Sequence, residues 1–192
     1  MYELPVIAEE RGERQDAARN RERILCAARR LFDERGADCV TMDQVADAAG
    51  VGKGTLFRRF GSRASLAAAL LSEHERALQE GFIRGEPPLG PGAPARERLV
   101  AFGEAMLDML EAHSELIACA DAGAVRYAHP TYGVHRLHVL LLLREADPQC
   151  DAEVLADALL AALGAELFVY QRAAQGMSLE RLKAGWRELV AG

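Results

Sequence analysis

Aromatic residues are scarce in this chain, at 6% of 192 residues, and only one of them is a tryptophan. Runs of β-branched residues are also few, whereas alanine and leucine are abundant. Sheets favour β-branched and aromatic side chains, while helices favour alanine and leucine. The composition therefore predicts an all-α protein, and the spacing of apolar residues divides it into about nine helices.

Cysteine is rare as well. The four cysteines, at positions 26, 39, 119 and 150, form no Cys-x-x-Cys pair and lie among apolar residues. This spacing argues against a disulfide framework or a zinc site, so we expect reduced thiols in the core and a cytoplasmic protein. The longest uncharged apolar stretch near the C-terminus, residues 158–165, is too short to span a bilayer, and no signal-peptide pattern is present. We therefore expect no contact with a membrane.

Patterns that carry catalysis are missing too. The chain has no Gly-rich phosphate loop, no nucleophile elbow and no acidic pair in a defined context. His135 and His138 stand three residues apart and, with His129 or Glu145, form a conceivable metal set. Nothing else completes a ligand geometry, so histidines of a helix surface or a pocket are the simpler interpretation. We expect no enzyme activity, no cofactor and no metal.

Two short helices are predicted over residues 42–49 and 53–60. Thr41 and Gln44 have the S/T-x-x-E/Q spacing of a capping box, which marks the start of the first helix. Gly50 can take the left-handed conformation that ends it, and a further glycine can cap the second helix. Two short helices joined by a Gly-containing turn form the helix-turn-helix that reads DNA.

The second of these helices can be divided into faces at about 100° per residue. Leu56 and Phe60 form the buried stripe, so the opposite face, with Gly54, Thr55 and Arg58, would meet the major groove. The flanks of the helix would approach the phosphates. The residues expected to contact DNA are Thr41, Lys53, Gly54, Thr55, Phe57, Arg58, Arg59 and Arg63.

Positive charge is concentrated around this motif. From Ala48 through Ser72 there is no acidic residue, although the formal net charge of the chain is -6. Such a local basic site in an acidic protein favours selective attraction of phosphate. Residues 1–17 are polar and lack an apolar period, so we expect a loose arm there. Arginines at positions 11, 14, 19, 21 and 23 are further candidates for phosphate contacts, or solvate the arm.

Residues 41–66, T-M-D-Q-V-A-D-A-A-G-V-G-K-G-T-L-F-R-R-F-G-S-R-A-S-L, resemble the TetR family of transcriptional regulators. They meet each specified position of the pattern T-x-x-x-[IV]-A-x-x-A-G-V-[SG]-x-G-[TA]-[LV]-[YF]-x-x-F-x-[SN]-[KR]-x-x-L. Gly52, Phe57 and Arg59 differ from the commonest residues at their positions. The resemblance implies a ligand-responsive repressor in which Arg63 reaches a phosphate. It also implies a homodimer whose last two helices pair with their two-fold mates.

Further helices are predicted from apolar spacing. They cover about 18–35, 63–85, a segment through Leu110, a short segment at 116–117, a segment ending before Pro148, about 151–174, and a final segment after Ser178. Residues 86–94 are expected to form a surface loop, and residues 123–133 a broken connection. In the helix before Pro148, the side chains expected to point inward are Val134, Leu137, His138, Leu141 and Leu142.

Two domains follow from this order, a DNA-binding domain over residues 18–62 and a ligand-binding and dimerisation domain over residues 63–192. An apolar, Met-containing lining with a few polar tips suits a hydrophobic or aromatic small molecule. The residues expected to line its pocket are Phe102, Met106, Met109, His113, Leu116, Tyr127, Tyr132, His138 and Phe168. Trp186, in register with Leu179, Leu182 and Leu189, marks the final helix as part of the dimer surface.

The resulting hypothesis is a dimer that binds a near-palindromic operator and is released when a ligand favours a pivoted fourth helix. Two alternatives remain open at this point. One is a non-enzymatic helical interaction module in which the helix-turn-helix no longer binds DNA, and the other is an activator with the same DNA-binding head. Salt-sensitive binding to promoter DNA would separate a regulator from the interaction module.

Overall fold

The computed structural model describes residues 8–36, 39–120, 127 and 129–191 of the chain, with side-chain burial from residue 16 onward. Every regular element in these ranges is helical, so the predicted all-α class is confirmed. The helices are α1 (Ala8–Arg35), α2 (Met42–Ala49), α3 (Lys53–Phe60), α4 (Arg63–Arg84), α5 (Ala95–Ala120), α6 (Pro130–Ala146), α7 (Ala152–Ala162), α8 (Ala165–Val169) with a π-helical turn (Tyr170–Ala174), and α9 (Leu179–Ala191). None of the helices described is long and apolar enough to cross a membrane.

The contacts divide the chain into two units, Met1–Leu70 and Leu71–Gly192, so the division falls within α4. The sequence placed the boundary between residues 62 and 63, at the start of the same helix. In the first unit, α1 packs on α2, and α2 packs on α3. In the second unit, α5 is central and packs against α6, α8 and α9, while α6 also packs on α7.

Helix α1 begins at Ala8, which corrects the expected loose arm over residues 1–17 from that residue onward. Residues 1–7 lie outside the described part of the chain. The segment has no apolar stripe, but it is rich in Glu, Gln, Arg and Ala, and these residues extend a helix by intrinsic propensity. Apolar periodicity alone therefore placed the start of the helix too late.

Helix α6 begins at Pro130, inside the segment expected to be a broken connection. Proline suits the first turn of a helix because its missing N–H would have no helical partner there. His129 caps the helix, and its Nδ1 accepts a hydrogen bond from the Thr131 N–H at 3.4 Å. The expectation is therefore wrong from Pro130 to Gly133, while residues 121–126 and 128 are outside the described ranges.

The inward face predicted for α6 is wrong in part. Val134, Leu137 and Leu141 are exposed, although Leu142 is buried and His138 is half-buried as expected. The buried positions of this helix are His135, Val139, Leu140 and Leu142. The segment L-H-V-L-L-L-L is apolar on all sides, so its spacing does not identify the buried face.

The helix predicted over 151–174 is interrupted. Asp151 caps its start as expected, because its Oδ1 accepts from the Val154 N–H at 3.3 Å. The helix stops at Ala162, and Gly164 takes an extended conformation before α8 begins. By contrast, the sequence predicts a break between the helix through Leu110 and the short helix at residues 116–117, and this break is present. It lies within α5 at His113, which has non-helical angles of φ -142° and ψ 22°.

None of the four cysteines forms a disulfide, but they are not all in the core. Cys119 is buried and Cys150 is half-buried, whereas Cys26 and Cys39 are exposed. Cys26 lies between Ile24 and Ala28 on α1, and those two residues occupy the buried stripe. Apolar neighbours in sequence therefore did not place Cys26 on the buried face, because a helix turns each residue by about 100°.

Trp186 packs inside its own subunit, against α5. Its indole N–H points at the carbonyl oxygens of Leu99 and Val100, at 3.3 and 3.1 Å. A Cβ added at Gly103 would lie 1.9 Å from the indole Cε2, so the close approach of α9 to α5 requires glycine there. Leu189 is 53% exposed and therefore does not share the buried environment of Trp186.

This contact predicts the effect of two matched substitutions. Gly103→Ala should lower the free energy of unfolding by about 2–3 kcal/mol, because the new methyl group overlaps the indole. Gly185→Ala is the control, since a Cβ at Gly185 on α9 meets no atom within 4 Å. The control should be neutral or more stable by about 0.5–1 kcal/mol. Urea unfolding followed by circular dichroism measures both, and equal stability of the two variants would contradict the packing described.

Candidate nucleic-acid interface and polar cluster

The capping box predicted for α2 is present. The Thr41 Oγ1 accepts from the Gln44 N–H at 3.3 Å, and the Gln44 Oε1 accepts from the Thr41 N–H at 2.9 Å. Gly50 ends the helix in the left-handed conformation, with φ 61° and ψ 40°, as predicted. The Val51 N–H then donates to the Ala46 carbonyl at 3.0 Å, which closes the turn before α3. Local capping chemistry therefore sets the direction in which α3 leaves α2.

Two arginines of α1 hold this motif together. The Arg23 Nη2 donates to the carbonyl oxygens of Ala49 and Gly50, at 2.7 and 3.4 Å. A cation at the C-terminus of a helix satisfies carbonyls that have no helical partner and complements the helix dipole. The guanidinium of Arg21 lies over the Phe60 ring, 5.4 Å from its centroid. Both side chains, predicted from the sequence to contact phosphates or to solvate the arm, thus have intramolecular partners.

The buried stripe of α3 is the one that helical geometry predicts from its sequence. Leu56 and Phe60 are buried, at 0% and 7% exposure, and anchor the helix to its unit. Gly54 and Arg58 are exposed and Thr55 is half-buried. A Cβ at Gly54 would meet no atom within 4 Å, so the backbone is open to the outside there. On the exposed side of α3, Phe57 is the only large apolar side chain, and it is 46% exposed.

The four basic side chains of the motif differ in their partners. The Lys53 Nζ lies 2.5 Å from the Asp43 Oδ2, and this hydrogen bond raises the pKa of Lys53. Arg58 and Arg59 are exposed, and within the described ranges neither makes a hydrogen bond or an ion pair. Arg63 is half-buried at the start of α4. Arg58 and Arg59 therefore present the uncompensated positive charge of the site.

The predicted pocket residues are all in the second unit, with different exposures. Phe102, Met106, Met109 and Phe168 are buried, His113, Leu116, Tyr132 and His138 are half-buried, and Tyr127 is exposed. The rings of Tyr127 and Tyr132 meet edge to face at 5.2 Å, and the Tyr132 hydroxyl donates to Asp157 at 2.9 Å. Phe102 and His138 lie together, with their ring centroids 5.3 Å apart.

Around Phe102 and His138 the structure assembles a polar cluster, which consists of Glu75, Arg98, His135 and His138. The ring of Phe82 stacks on His138 at 4.2 Å. The Arg98 Nη2 donates to the Phe82 carbonyl at 3.1 Å, and the His135 Nε2 lies 3.4 Å from the Glu75 Oε2. The rings of Phe82 and Phe102 stand 5.7 Å apart and enclose the imidazoles. Helices α4, α5 and α6 thus bring four polar side chains into one apolar environment.

Three nitrogens of this cluster are buried without a hydrogen-bond partner, namely Arg98 Nε, His135 Nε2 and His138 Nε2. Burying such a donor unsatisfied costs about 1–3 kcal/mol. Burial lowers the pKa of His135 to about 4. The pKa of His138 also falls to about 4, first because of burial and then because of the nearby charge of Arg98. Both imidazoles are therefore neutral at pH 7, and the His135–Glu75 contact is not a pair of opposite charges.

Glu75, Phe82, Arg98 and His135 were not predicted as pocket residues. Arg98 carried a usable signal, because it precedes Phe102 by four residues and so shares a face of α5 with a predicted core aromatic. The pair of histidines on α6 was considered as part of a metal set. Within the ranges that the structure describes, no three His, Cys, Asp or Glu side chains are grouped so as to hold a metal ion.

The first unit, with two short helices joined by a tight turn and an outward basic face, is a helix-turn-helix of the DNA-binding kind. A sequence profile described as "Bacterial regulatory proteins, tetR family" matches residues 24–70, which contain α2 and α3. FasR, an HTH-type transcriptional activator of Mycolicibacterium smegmatis, is 34% identical over 126 residues, which span 60% of this chain and 56% of FasR. The match thus covers little more than half of that relative.

Two longer matches extend the comparison. An HTH-type transcriptional regulator of Staphylococcus aureus is 26% identical over 169 residues, which span 87% of this chain and 90% of the relative. The crystal structure of a TetR-like transcriptional regulator from Rhodococcus has a TM-score of 0.62 at 23% identity, and the match covers 90% of this chain and 93% of the other. Residues 24–70 are therefore similar to the tetR family of bacterial regulatory proteins, and the chain as a whole shares its fold with the TetR-like regulator from Rhodococcus.

The buried histidines predict a loss of stability in acid. The pKa of His135 is about 4 in the folded state and about 6.5 in an unfolded chain, so between these values the unfolded state binds more protons. The free energy of unfolding should therefore fall as the pH drops from 7 to 5, by about 2 kcal/mol for His135. Urea unfolding at both pH values measures it. The variant His135→Gln should show a smaller decrease, and an unchanged pH dependence would contradict this assignment.

Proposed function

We propose that this protein is an effector-responsive repressor that binds a near-palindromic operator as a homodimer in the cytoplasm. The observation that carries the proposal is the outward face of α3, where Arg58 and Arg59 are exposed without an ion pair or hydrogen bond in the described ranges. Because no acidic residue occurs from Ala48 through Ser72, this charge is not neutralised by neighbours in sequence. Free guanidinium groups on an exposed recognition helix suit both guanine edges and phosphates.

A second copy would place a second α3 one turn of DNA away, about 34–36 Å along the duplex. The exposed apolar surface of the last helices supports such a dimer. Val154 and Leu155 of α7 are 63% and 40% exposed, and Leu167 and Tyr170 beyond it are 40% and 53% exposed. Exposed apolar side chains grouped along α7 and α8 favour association with another copy.

An effector would act through differential affinity for two states of the body. Helix α4 supports this route, because it runs without a break from Arg63 to Arg84. Arg63, its first residue, is an expected phosphate contact. On the same helix, Glu75 belongs to the polar cluster and the Phe82 ring stacks on His138 of that cluster. A ligand that displaces α4 at the polar cluster would therefore change the position of Arg63 and weaken binding to the operator.

A second candidate is an activator with the same DNA-binding head. The match to FasR, whose name describes a transcriptional activator, favours it. Both candidates bind DNA, so DNA affinity does not separate them. Transcription in vitro from the regulated promoter does, because a repressor lowers and an activator raises the yield of transcript when the protein is added.

The DNA-binding face predicts different effects for two adjacent arginines. Arg58→Ala should weaken operator binding by about 1–3 kcal/mol and relax the preference at one base position of each half-site. Arg59→Ala should weaken binding to operator and random DNA alike, and should lower the slope of log affinity against log salt by about one. Site selection from a random pool and salt titrations measure these effects. An unchanged site preference in Arg58→Ala would mean that another face of α3 meets the bases.

The dimer surface predicts the effect of a single charge. Ala158 lies one turn from Val154 on the exposed face of α7, whereas the neighbouring Ala162 is half-buried in its own subunit. Ala158→Arg should produce a helical monomer with much weaker operator binding, because a cation buried in a two-fold interface meets its own symmetry mate. Ala77→Arg, at an exposed position of α4, is the control and should remain dimeric. Sedimentation distinguishes these outcomes, and a dimeric Ala158→Arg would exclude this face.

A further inference from the structure

We propose that the polar cluster of the body binds the carboxylate of a small apolar acid, with Arg98 and His138 as the donors. The proposal rests on the proposed function, because it names the chemical class of the effector. It is an inference about the second unit alone, since Glu75, Arg98, His135 and His138 all lie between Leu71 and Gly192. Its starting point is a set of buried nitrogens whose hydrogen-bonding capacity the protein does not use.

Arg98 supplies the charge. Its Nη2 donates to the backbone carbonyl of Phe82 at 3.1 Å, which anchors the guanidinium at α4. Its Nε is buried and has no hydrogen-bond partner, and among the described residues no carboxylate forms an ion pair with it. A guanidinium in an apolar environment is strongly stabilised by a carboxylate, whose planar oxygens match its donors. Arg98 therefore selects for an anionic group.

His138 supplies a second contact on the same side of Phe82. Its ring is stacked on Phe82 at 4.2 Å and lies 5.3 Å from Phe102, so the orientation of the imidazole is restricted. The Nε2 is buried without a partner. A neutral imidazole carries one N–H and can place it on Nε2, where it would donate to the second oxygen of the carboxylate. The two oxygens would thus engage two different side chains.

The other side of the cluster limits where the acid can lie. The Glu75 side chain is mostly buried, and its Oε2 lies 3.4 Å from the His135 Nε2, so Glu75 already occupies the space beside His135. An incoming carboxylate would therefore meet Arg98 and His138 rather than His135. The rings of Phe82 and Phe102 adjoin the cluster, so an apolar ligand body would suit these surroundings better than a polar one.

The test uses the full-length protein with cyclohexanecarboxylate and its neutral isostere cyclohexanecarboxamide. Isothermal titration measures affinity, and the fluorescence of Trp186 provides a second signal, because its N–H contacts the carbonyls of Leu99 and Val100, next to Arg98. We expect the carboxylate to bind at least tenfold more tightly than the amide. Equal binding of the two probes, or binding of neither, would overturn the proposal.

Variants identify the donors. Arg98→Gln should remove the preference for the carboxylate while binding of the amide stays unchanged. Arg76→Gln on α4 is the matched control, because Arg76 is exposed and makes no hydrogen bond or ion pair among the described residues, and it should retain the full preference. If Arg98→Gln does not fold, His138→Phe replaces it, since this variant keeps the stacked ring and removes the donor. A preference that survives both substitutions contradicts the assignment.

Binding to the DNA upstream of the coding sequence, measured without any probe, keeps the two proposals separate. Loss of that binding would count against the proposed regulator, whatever the probes do. DNA binding together with no preference for the carboxylate would count against the chemical class of the effector alone. The expected result is DNA binding that weakens when cyclohexanecarboxylate is added and stays constant when the amide is added.

Discussion

The position of α3 depends on the turn that precedes it, and that turn depends on one conformation of one residue. Gly50 is left-handed, which lets the Val51 N–H return to the Ala46 carbonyl and reverses the chain within a few residues. Any other residue there would meet backbone strain and, through its Cβ, the Arg23 guanidinium at 2.9 Å. Arg23 of α1 also binds the carbonyls at the end of α2, so helix α1 and the turn stabilise each other. The turn then fixes the direction in which α3 leaves it.

The two units use their charged groups in opposite ways. In the first unit, the free arginines of α3 lie in solvent, where a cation is well solvated and needs no partner until DNA arrives. In the second unit, two neutral imidazoles lie against phenyl rings and the Arg98 Nε is buried beside them, and an unused donor is costly in such a place. The body therefore tolerates unfavourable burial that a packed apolar core would avoid, and such costs are typical of sites where a ligand completes the structure.

The sequence located the DNA-binding motif well because its signals are local. Thr41, Gln44 and Gly50 mark the ends of α2 through contacts within a few residues, so the bounds of α2 and the buried stripe of α3 followed directly. The polar cluster could not be predicted in the same way, because its members come from three helices and meet only through tertiary packing. The buried face of α6 was predicted wrongly for another reason. The segment L-H-V-L-L-L-L is apolar on every side, so the spacing of its apolar residues does not identify a buried face.

The ion pair between Lys53 and Asp43 has a consequence for how the protein would bind DNA. The ammonium at the start of α3 already has a carboxylate partner at 2.5 Å, so a phosphate gains from Lys53 only by displacing Asp43. Asp43 thus competes with phosphate for Lys53, so a DNA contact through this ammonium would contribute less to affinity than one through an unpaired cation such as Arg58 or Arg59.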